Sequence, residues 1–551
     1  MADQTFDVVI VGGGNKALIA AMYLAKYGKL KVGIFEESYE PGDGRTQKEQ
    51  AAEFISATCL MGQAEFYHIP VYQDFPEWKD YGARYGHTKA SLGTCFKEDD
   101  SCFIQYTAFD DVDPTQEKTA AGIARYSQKD ADTYLFLWKK FKQYWEPALL
   151  EHFFNPAKPL TEPDALENLI MNPDSGINPL WLYMSPSAIY KELFEDDHMR
   201  QAFLRGNQSL AFESFQAGSG LGALFMALWW NPLRCYAAGS SQAMTHASHQ
   251  VILENSGQIV VNPGVEKILI ENGRAKGIKL TDGTEIQATK AVVASVDPYQ
   301  LCFDLIGPEH IPAKITRRVE NIDRDWVSAM WYTWAFKEKP RWKCEDWNPD
   351  AAECLWMCPG DLDPHSLTLE SAERKMHKWP SRLNLGVACL GPDEAHSNDQ
   401  STAPADAKFT ILTEQFVAPA WALSEADWKE REKRHADEVV EHLHKYAPNV
   451  SWDSISGYHP VTPYDTARMC KNYAPAGNWF VIDNIPSQWG KIRPIPELSG
   501  HRVPGVEGLY PTGSAWHPWG GAHSAQGYNC YKVMSADLGL AKPWEQEGRP
   551  F

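Results

Sequence analysis

Residues 6–36, FDVVIVGGGNKALIAAMYLAKYGKLKVGIFE, constrain this chain more than any other stretch. Phe6 and the apolar run at 8–11 predict a buried parallel strand rather than a half-exposed one. Gly12-Gly13-Gly14 turns the chain, the apolar spacing from Ala17 to Tyr27 predicts a helix, and a second short strand at 31–35 ends in Glu36. Strand, glycine turn, helix, strand and acid in this order form the G-x-G-x-x-G/A arrangement that binds a dinucleotide. Each part meets a physical demand. Gly12 makes the turn, Gly14 lets the backbone approach a pyrophosphate, and Ala17 is small enough for the helix to pack on the strand. Asn15 and Lys16 open the helix, whose N-terminal amides face negative phosphate. Glu36 stands where a carboxylate accepts ribose hydroxyls, with Glu37 beside it. A lone glycine motif would be weak; the strands, helix and acid distinguish it from a glycine-rich turn in an ordinary α/β unit.

At 551 residues the chain is too long for one core and predicts two or more lobes. Its net charge of −20, without a basic stripe, argues against nucleic acid as a partner. The 11 cysteines are scattered and odd in number, as expected of reduced thiols. The N-terminus runs directly into the first strand without a secretory pattern, so a cytoplasmic protein is expected. Cys354-x3-Cys358 is the only close cysteine pair and lacks a second pair or histidine partner, so no metal site is expected. No run reaches the roughly 20 apolar residues of a membrane span. The best, LGALFMALWW at 221–230, fits a buried helix, a tunnel lining or a peripheral membrane patch. The 21 Trp, 23 Tyr and 23 Phe supply core, and also suit a pocket for an apolar or aromatic small-molecule substrate.

After Glu36, Pro41-Gly42-Asp43-Gly44-Arg45-Thr46 is placed to wrap a dinucleotide from its far side. Residues 60–125 show no steady period, whereas 126–144 and 185–204 read as helices, so this region looks like an inserted, mainly helical lobe. A helix at 238–254 brings the chain back. Strands from 257 onward, with turns at Asn272-Gly273 and Asp282-Gly283, predict an antiparallel meander leading into a buried strand at 291–294. Within 300–454, strands are expected at 326–336 and 383–390 and a helix at 425–446. A last apolar strand and glycine-rich turn, Leu509 to Asn529, lead into a helix ending near residue 540. Nucleotide-site segments at 1–90, 236–300 and 455–551, separated by 91–235 and 301–454, predict an interleaved protein of two lobes.

This order resembles the FAD-dependent amine oxidase and phytoene desaturase superfamily, and within it the phytoene desaturase and carotenoid/retinoid oxidoreductase branch. The likeness rests on the first strand and turn, the meander, and Leu509-Tyr510-Pro-Thr-Gly513-Ser-Ala-Trp516-His517-Pro518-Trp519-Gly520-Gly521 with Gly527-Tyr528-Asn529 downstream. Thr462-Pro463-Tyr464-Asp465 and Ile492-Arg493-Pro494 also fall where that branch has similar segments. The resemblance implies an α/β fold, a Rossmann-type FAD-binding domain with an interleaved α+β substrate domain. It implies that Gly44, Arg45 and Thr46 pass near the flavin and that Val265 starts the strand meeting the adenine edge. Gly513, Gly521, Ala522 and His523 would lie at the ribityl chain and pyrimidine ring. Asp43 interrupts the family's glycine pair and Trp519 displaces a glycine of its C-terminal motif; a Trp beside the flavin would reshape the pocket, which puts a carotenoid substrate in question.

The implied chemistry is hydride removal from a substrate C–H to the flavin, forming C=C or C=N, with oxygen or a quinone as electron acceptor. His517 and His523 flank the glycine turn and are the first acid/base candidates, with Tyr528 and Arg45 behind them. For each histidine, a structural hydrogen bond is the competing reading. Two other functions stay in view: a flavin-dependent isomerase without net redox, and a non-enzymatic isoprenoid-binding protein on the same fold.

Overall fold

The computed structural model describes residues 4–42, 48–51, 54–56, 63–391, 406–521 and 523–551. Two sheets organise them. In the first, Thr5–Val11 pairs in parallel with Val32–Glu36 on one side and Glu285–Ala294 on the other, which explains its unbroken apolar run. Gln258–Val261 adds in parallel to Val32–Glu36 at the edge. That corrects the expectation that this segment opens the meander, which consists of Val265–Glu271, Arg274–Leu280 and Glu285–Ala294.

Glu285–Ala294 is a single strand where two were expected. Its first residues pair antiparallel with the meander, and its last pair in parallel with Thr5–Val11 and Leu509–Pro511. Burial along it changes from alternating to continuous. The residue pattern therefore looks like two strands because one strand passes from an exposed sheet margin into the covered sheet centre. The turn between the first two meander strands places both Asn272 and Gly273 at positive φ, as the Asn-Gly signal predicts.

The second sheet runs in the order Ile455–Val461, Ala329–Phe336, Phe409–Phe416, Gly386–Gly391, Cys354–Gly360, Ala90–Phe96, Cys102–Tyr106. The last two lie in the stretch that shows no period, and every residue in both is buried. Strands covered on both faces carry no alternation to detect. The helix Glu425–Tyr446, closed at its start by the Ser424–Asp427 capping box, covers one face with Trp428, Val439 and Leu443. The other face meets Trp479 through Trp331 and Phe416.

The expected helix at 126–144 starts at Gln128, capped by Ser127, and continues through a wider turn at Phe141–Trp145 into Glu146–Phe153. The expected 185–204 helix divides into Pro186–Leu193 and Asp197–Gln208, the second capped by Asp196. Gly220–Trp229 is a helix buried almost throughout, so the apolar run at 221–230 belongs to the core. Among the described residues, no helix is long and apolar enough to cross a membrane, and no cluster of His, Cys, Asp or Glu is placed to hold a metal ion.

Candidate dinucleotide site

The carboxyl ends of the parallel strands open on a cleft of about 330 Å³. Gly12, Gly14, Asn15, Lys16, Glu36, Glu37, Val265 and Gly513 all line it, although they come from four separate parts of the chain. Gly12 has φ +83°, and a Cβ there would lie 3.0 Å from the Ser295 carbonyl oxygen, so both conformation and space require glycine. The Gly13 amide donates to Glu36 Oε2 at 2.6 Å, and the Ser38 amide donates to Glu36 Oε1 at 2.8 Å. The acid is thereby held over the mouth of the turn.

Two positions test whether a phosphate-bearing ligand fits. A Cβ at Gly14 would find only the Gly42 carbonyl oxygen, at 3.5 Å, and one at Gly513 would find nothing closer than Ser295 Oγ at 3.6 Å. Both glycines line the cleft, so a side chain at either would take up space within it. The helix Asn15–Lys26 starts there with Gly14 as N-cap, which brings no side-chain acceptor, and its first turn holds no acid. Lys16 in that turn is only 4% exposed. The Lys16 ammonium and the amides of the helix N-terminus both carry the sign that attracts an anion. These residues fit a bound pyrophosphate.

Ala17 lies beneath the cleft, fully buried. Close packing there extends to the C-terminal helix Ala525–Leu538, where a Cβ on Gly527 would stand 2.2 Å from the Lys16 carbonyl oxygen. Gly527 thus serves a helix–helix approach. Gly44, Arg45, Thr46 and Ala522 lie outside the described residues.

His517, His523 and Tyr528 are not among the described residues that line the cleft. His517 Nε2 contacts the backbone carbonyls of His152 and Asn155, each at 3.1 Å, and burial pushes its pKa down to about 3. His523 Nε2 contacts the Trp519 carbonyl at 3.0 Å, and burial, together with the Lys16 charge, holds it well below the usual histidine range. Both imidazoles are neutral near pH 7, and both make the structural hydrogen bonds of the competing reading. Tyr528 packs against Tyr23 and Trp544, with ring centroids 5.1 and 5.6 Å away.

The turn itself is tightly built. A Cβ on Gly521 would lie 2.9 Å from the Trp519 ring and 3.2 Å from His523, whose rings are within 12° of parallel. Trp519 therefore fills the core beside the turn. Arg493, buried, donates to the carbonyls of Phe480, Gln488 and Ser514 and ties this turn to the preceding loop. Thr462 and Asp465 form a capping box for the helix Pro463–Met469, a physical role for the Thr-Pro-x-Asp segment.

Sequence reasoning missed the segment at 468–473, where Arg468, Lys471 and Asn472 line the cleft opposite the glycine turn. Lys471 Nζ lies 2.7 Å from Glu37 Oε1, and Asn472 Oδ1 accepts from the Asp297 amide at 2.7 Å. Nothing local marks these residues, because their partners lie far away in the chain.

No protein-family model matches the chain. It is 23% identical to one of the chains of the limonene dehydrogenase of Castellaniella defragrans, across 98% of this chain and 96% of that protein. An oxidoreductase from Methanosarcina mazei shares the fold with a TM-score of 0.59 at 15% identity, covering 96% of this chain and 99% of that one. A putrescine oxidase variant does so with a TM-score of 0.57 at 12% identity, covering 97% and 99%. The fold is a Rossmann-like sheet with an additional helix-and-strand domain, as in FAD oxidases, and agrees with the fold class expected from the sequence. Fold, cleft and likenesses together support a FAD-binding oxidoreductase of the amine-oxidase and phytoene-desaturase-like superfamily.

Proposed function

We propose that this protein is a FAD-dependent dehydrogenase, desaturase or oxidase that forms C=C or C=N in an apolar or aromatic small molecule. The observation that carries this reading is the convergence of Gly12, Gly14, Glu36 and Gly513 on one cleft, with Glu36 held by the Gly13 amide. FAD, when bound, supplies the hydride acceptor, and oxygen or a quinone takes up the electrons. Glu36 orients the adenosine ribose, and the amides at 14–17 with Lys16 hold the pyrophosphate. Gly513, Gly521 and His523 shape the flavin end, and Val265 meets the adenine. His517 and His523 act as neutral groups that fix the turn rather than as titrating catalysts. The aromatic interior excludes water from the reacting C–H. Residues around the first sheet form the cofactor domain, and those around the second sheet form the substrate domain. The scattered, odd-numbered cysteines favour the cytoplasm.

The test is the absorption spectrum of the purified protein, followed by anaerobic mixing with apolar and aromatic compounds. Flavin bands that bleach with one compound class support the reaction. Bands that persist while a compound rearranges would assign an isomerase, and no flavin after FAD is added would remove the proposal.

A further inference from the structure

Two consecutive acids on the dinucleotide cleft are used differently. Glu36 accepts the Gly13 amide at 2.6 Å and so faces the glycine turn. Glu37, the next residue, lies through Oε1 2.7 Å from Lys471 Nζ. Successive side chains at the end of a strand point to opposite sides, so one acid serves the turn and the other serves the far wall. Glu37 Oε1 also lies beside Gly264, where a Cβ would stand 3.5 Å away. The pair therefore meets next to Val265, which lines the cleft at the end where the adenine is placed under the proposed function.

The far wall is anchored. Lys471 opens the short helix Lys471–Tyr473, and its neighbour Asn472 accepts from the Asp297 amide at 2.7 Å, with Nδ2 3.5 Å from the Ser295 carbonyl. Ser295 is the residue whose carbonyl lies against Gly12 and whose hydroxyl lies nearest Gly513. Arg468, the other cation on this wall, donates to Tyr464 OH at 3.0 Å and lies 3.9 Å from Glu425. The backbone is thus held on both sides of the cleft, and Lys471 reaches Glu37 by side chain alone. Glu37 is 54% exposed and Lys471 64%, so the pair forms and parts without repacking the interior, and salt screens it.

We propose that Lys471 is a positioning residue for the dinucleotide: paired with Glu37, it latches the adenosine end of the cleft and slows the ligand's departure. A dinucleotide between the glycine turn and the 468–473 segment leaves by that end only when the pair parts. The Lys471 charge also offsets an acid that would otherwise repel the pyrophosphate. This assignment rests on the dinucleotide reading of the cleft and adds to it the contact that governs exchange.

The test uses the full chain loaded with FAD and diluted into about 0.05 M or about 0.5 M sodium chloride, with free flavin measured in filtrates at successive times. Release from the wild type should be about threefold faster at the higher salt. Lys471→Met and Glu37→Gln should each release FAD about threefold faster than the wild type at low salt, with a smaller salt response. The double variant should be no faster than either single one, because both residues act through one contact. Lys471→Arg should restore slow, salt-sensitive release. Melting temperatures without FAD should stay level, since both side chains are exposed. A wild-type release rate in Lys471→Met, or additive effects in the double variant, would overturn the latch while leaving the FAD site in place. Failure of the wild type to take up FAD would instead remove the dinucleotide reading, and the latch with it.

Discussion

Glu36 and Gly13 are joined directly: the Gly13 amide donates to Glu36 Oε2 at 2.6 Å, while the Ser38 amide donates to the other carboxylate oxygen at 2.8 Å. The acid at the end of the second strand thereby fixes the glycine turn relative to the strand, so the two halves of the proposed dinucleotide site are set by one side chain.

This relationship makes Glu36→Ala more damaging than Glu36→Gln, because the amide keeps one acceptor oxygen for a backbone N–H. FAD binding, followed by flavin fluorescence on titration, should weaken about tenfold or more in the alanine variant and less in the glutamine variant. Equal affinity in all three proteins would remove Glu36 from the site.

Gly12 and Gly14, two of the turn's three glycines, should separate stability from binding. Gly12→Ala forces a side chain to φ +83° and within 3.0 Å of the Ser295 carbonyl, at a cost of about 1–2 kcal/mol read by chemical denaturation. Gly14→Ala meets only an oxygen 3.5 Å away, so it should leave stability nearly unchanged and lower FAD affinity. A stability loss at Gly14 matching that at Gly12 would contradict the geometry.

Gly527 tests the helix crossing beneath the cleft. Its replacement by alanine places a methyl 2.2 Å from the Lys16 backbone oxygen, which should destabilise the protein by about 1–3 kcal/mol and also disturb the first helix. A drop in melting temperature accompanied by weaker flavin retention is the expected result. An unchanged melting temperature would mean that the two helices can separate freely.

Buried histidines set the acid response. Burial lowers His68 and His517 to about 3, and His249 and His501 to about 4, against about 6.5 in the unfolded chain. Their contribution is present above pH 6.5 and is lost as pH falls toward 3, since the unfolded state then binds protons the folded state refuses. Asp483 and Glu370, raised by burial to about 7, act oppositely, favouring the fold below about pH 4 and losing that contribution as pH rises through 7. His442, lowered by burial to about 3, acts with these histidines, and together they outweigh the two carboxyls, so stability falls on acidification between pH 6.5 and 4. His517→Gln keeps a donor for the His152 and Asn155 carbonyls without titrating. It should reduce that fall by up to about 1.4 kcal/mol per pH unit, measured by denaturation at each pH. An identical pH slope in this variant would refute the assignment.

The sequence by itself determined the first strand, the glycine turn, the acid and the 425–446 helix, because local conformation and short-range periodicity dictate them. Gly12 needs its φ whatever surrounds it, and Glu36 is placed by a strand only a few residues long. The turn at Asn272-Gly273 was legible for the same reason. Tertiary structure alone decided the rest. Ala90–Phe96 and Cys102–Tyr106 are strands because distant sheet partners, such as Cys354–Gly360, and overlying side chains bury them on both faces, which erases the alternating pattern. Gln258–Val261 joined the parallel sheet instead of the meander beside it because the choice depends on which edge is available, not on its own residues. Lys471 meets Glu37 across 434 positions, and His517 became a buried, neutral structural group only once the carbonyls of His152 and Asn155 closed around it. Burial and long-range pairing determine what a polar side chain can do, and neither is written within the few residues on either side of it.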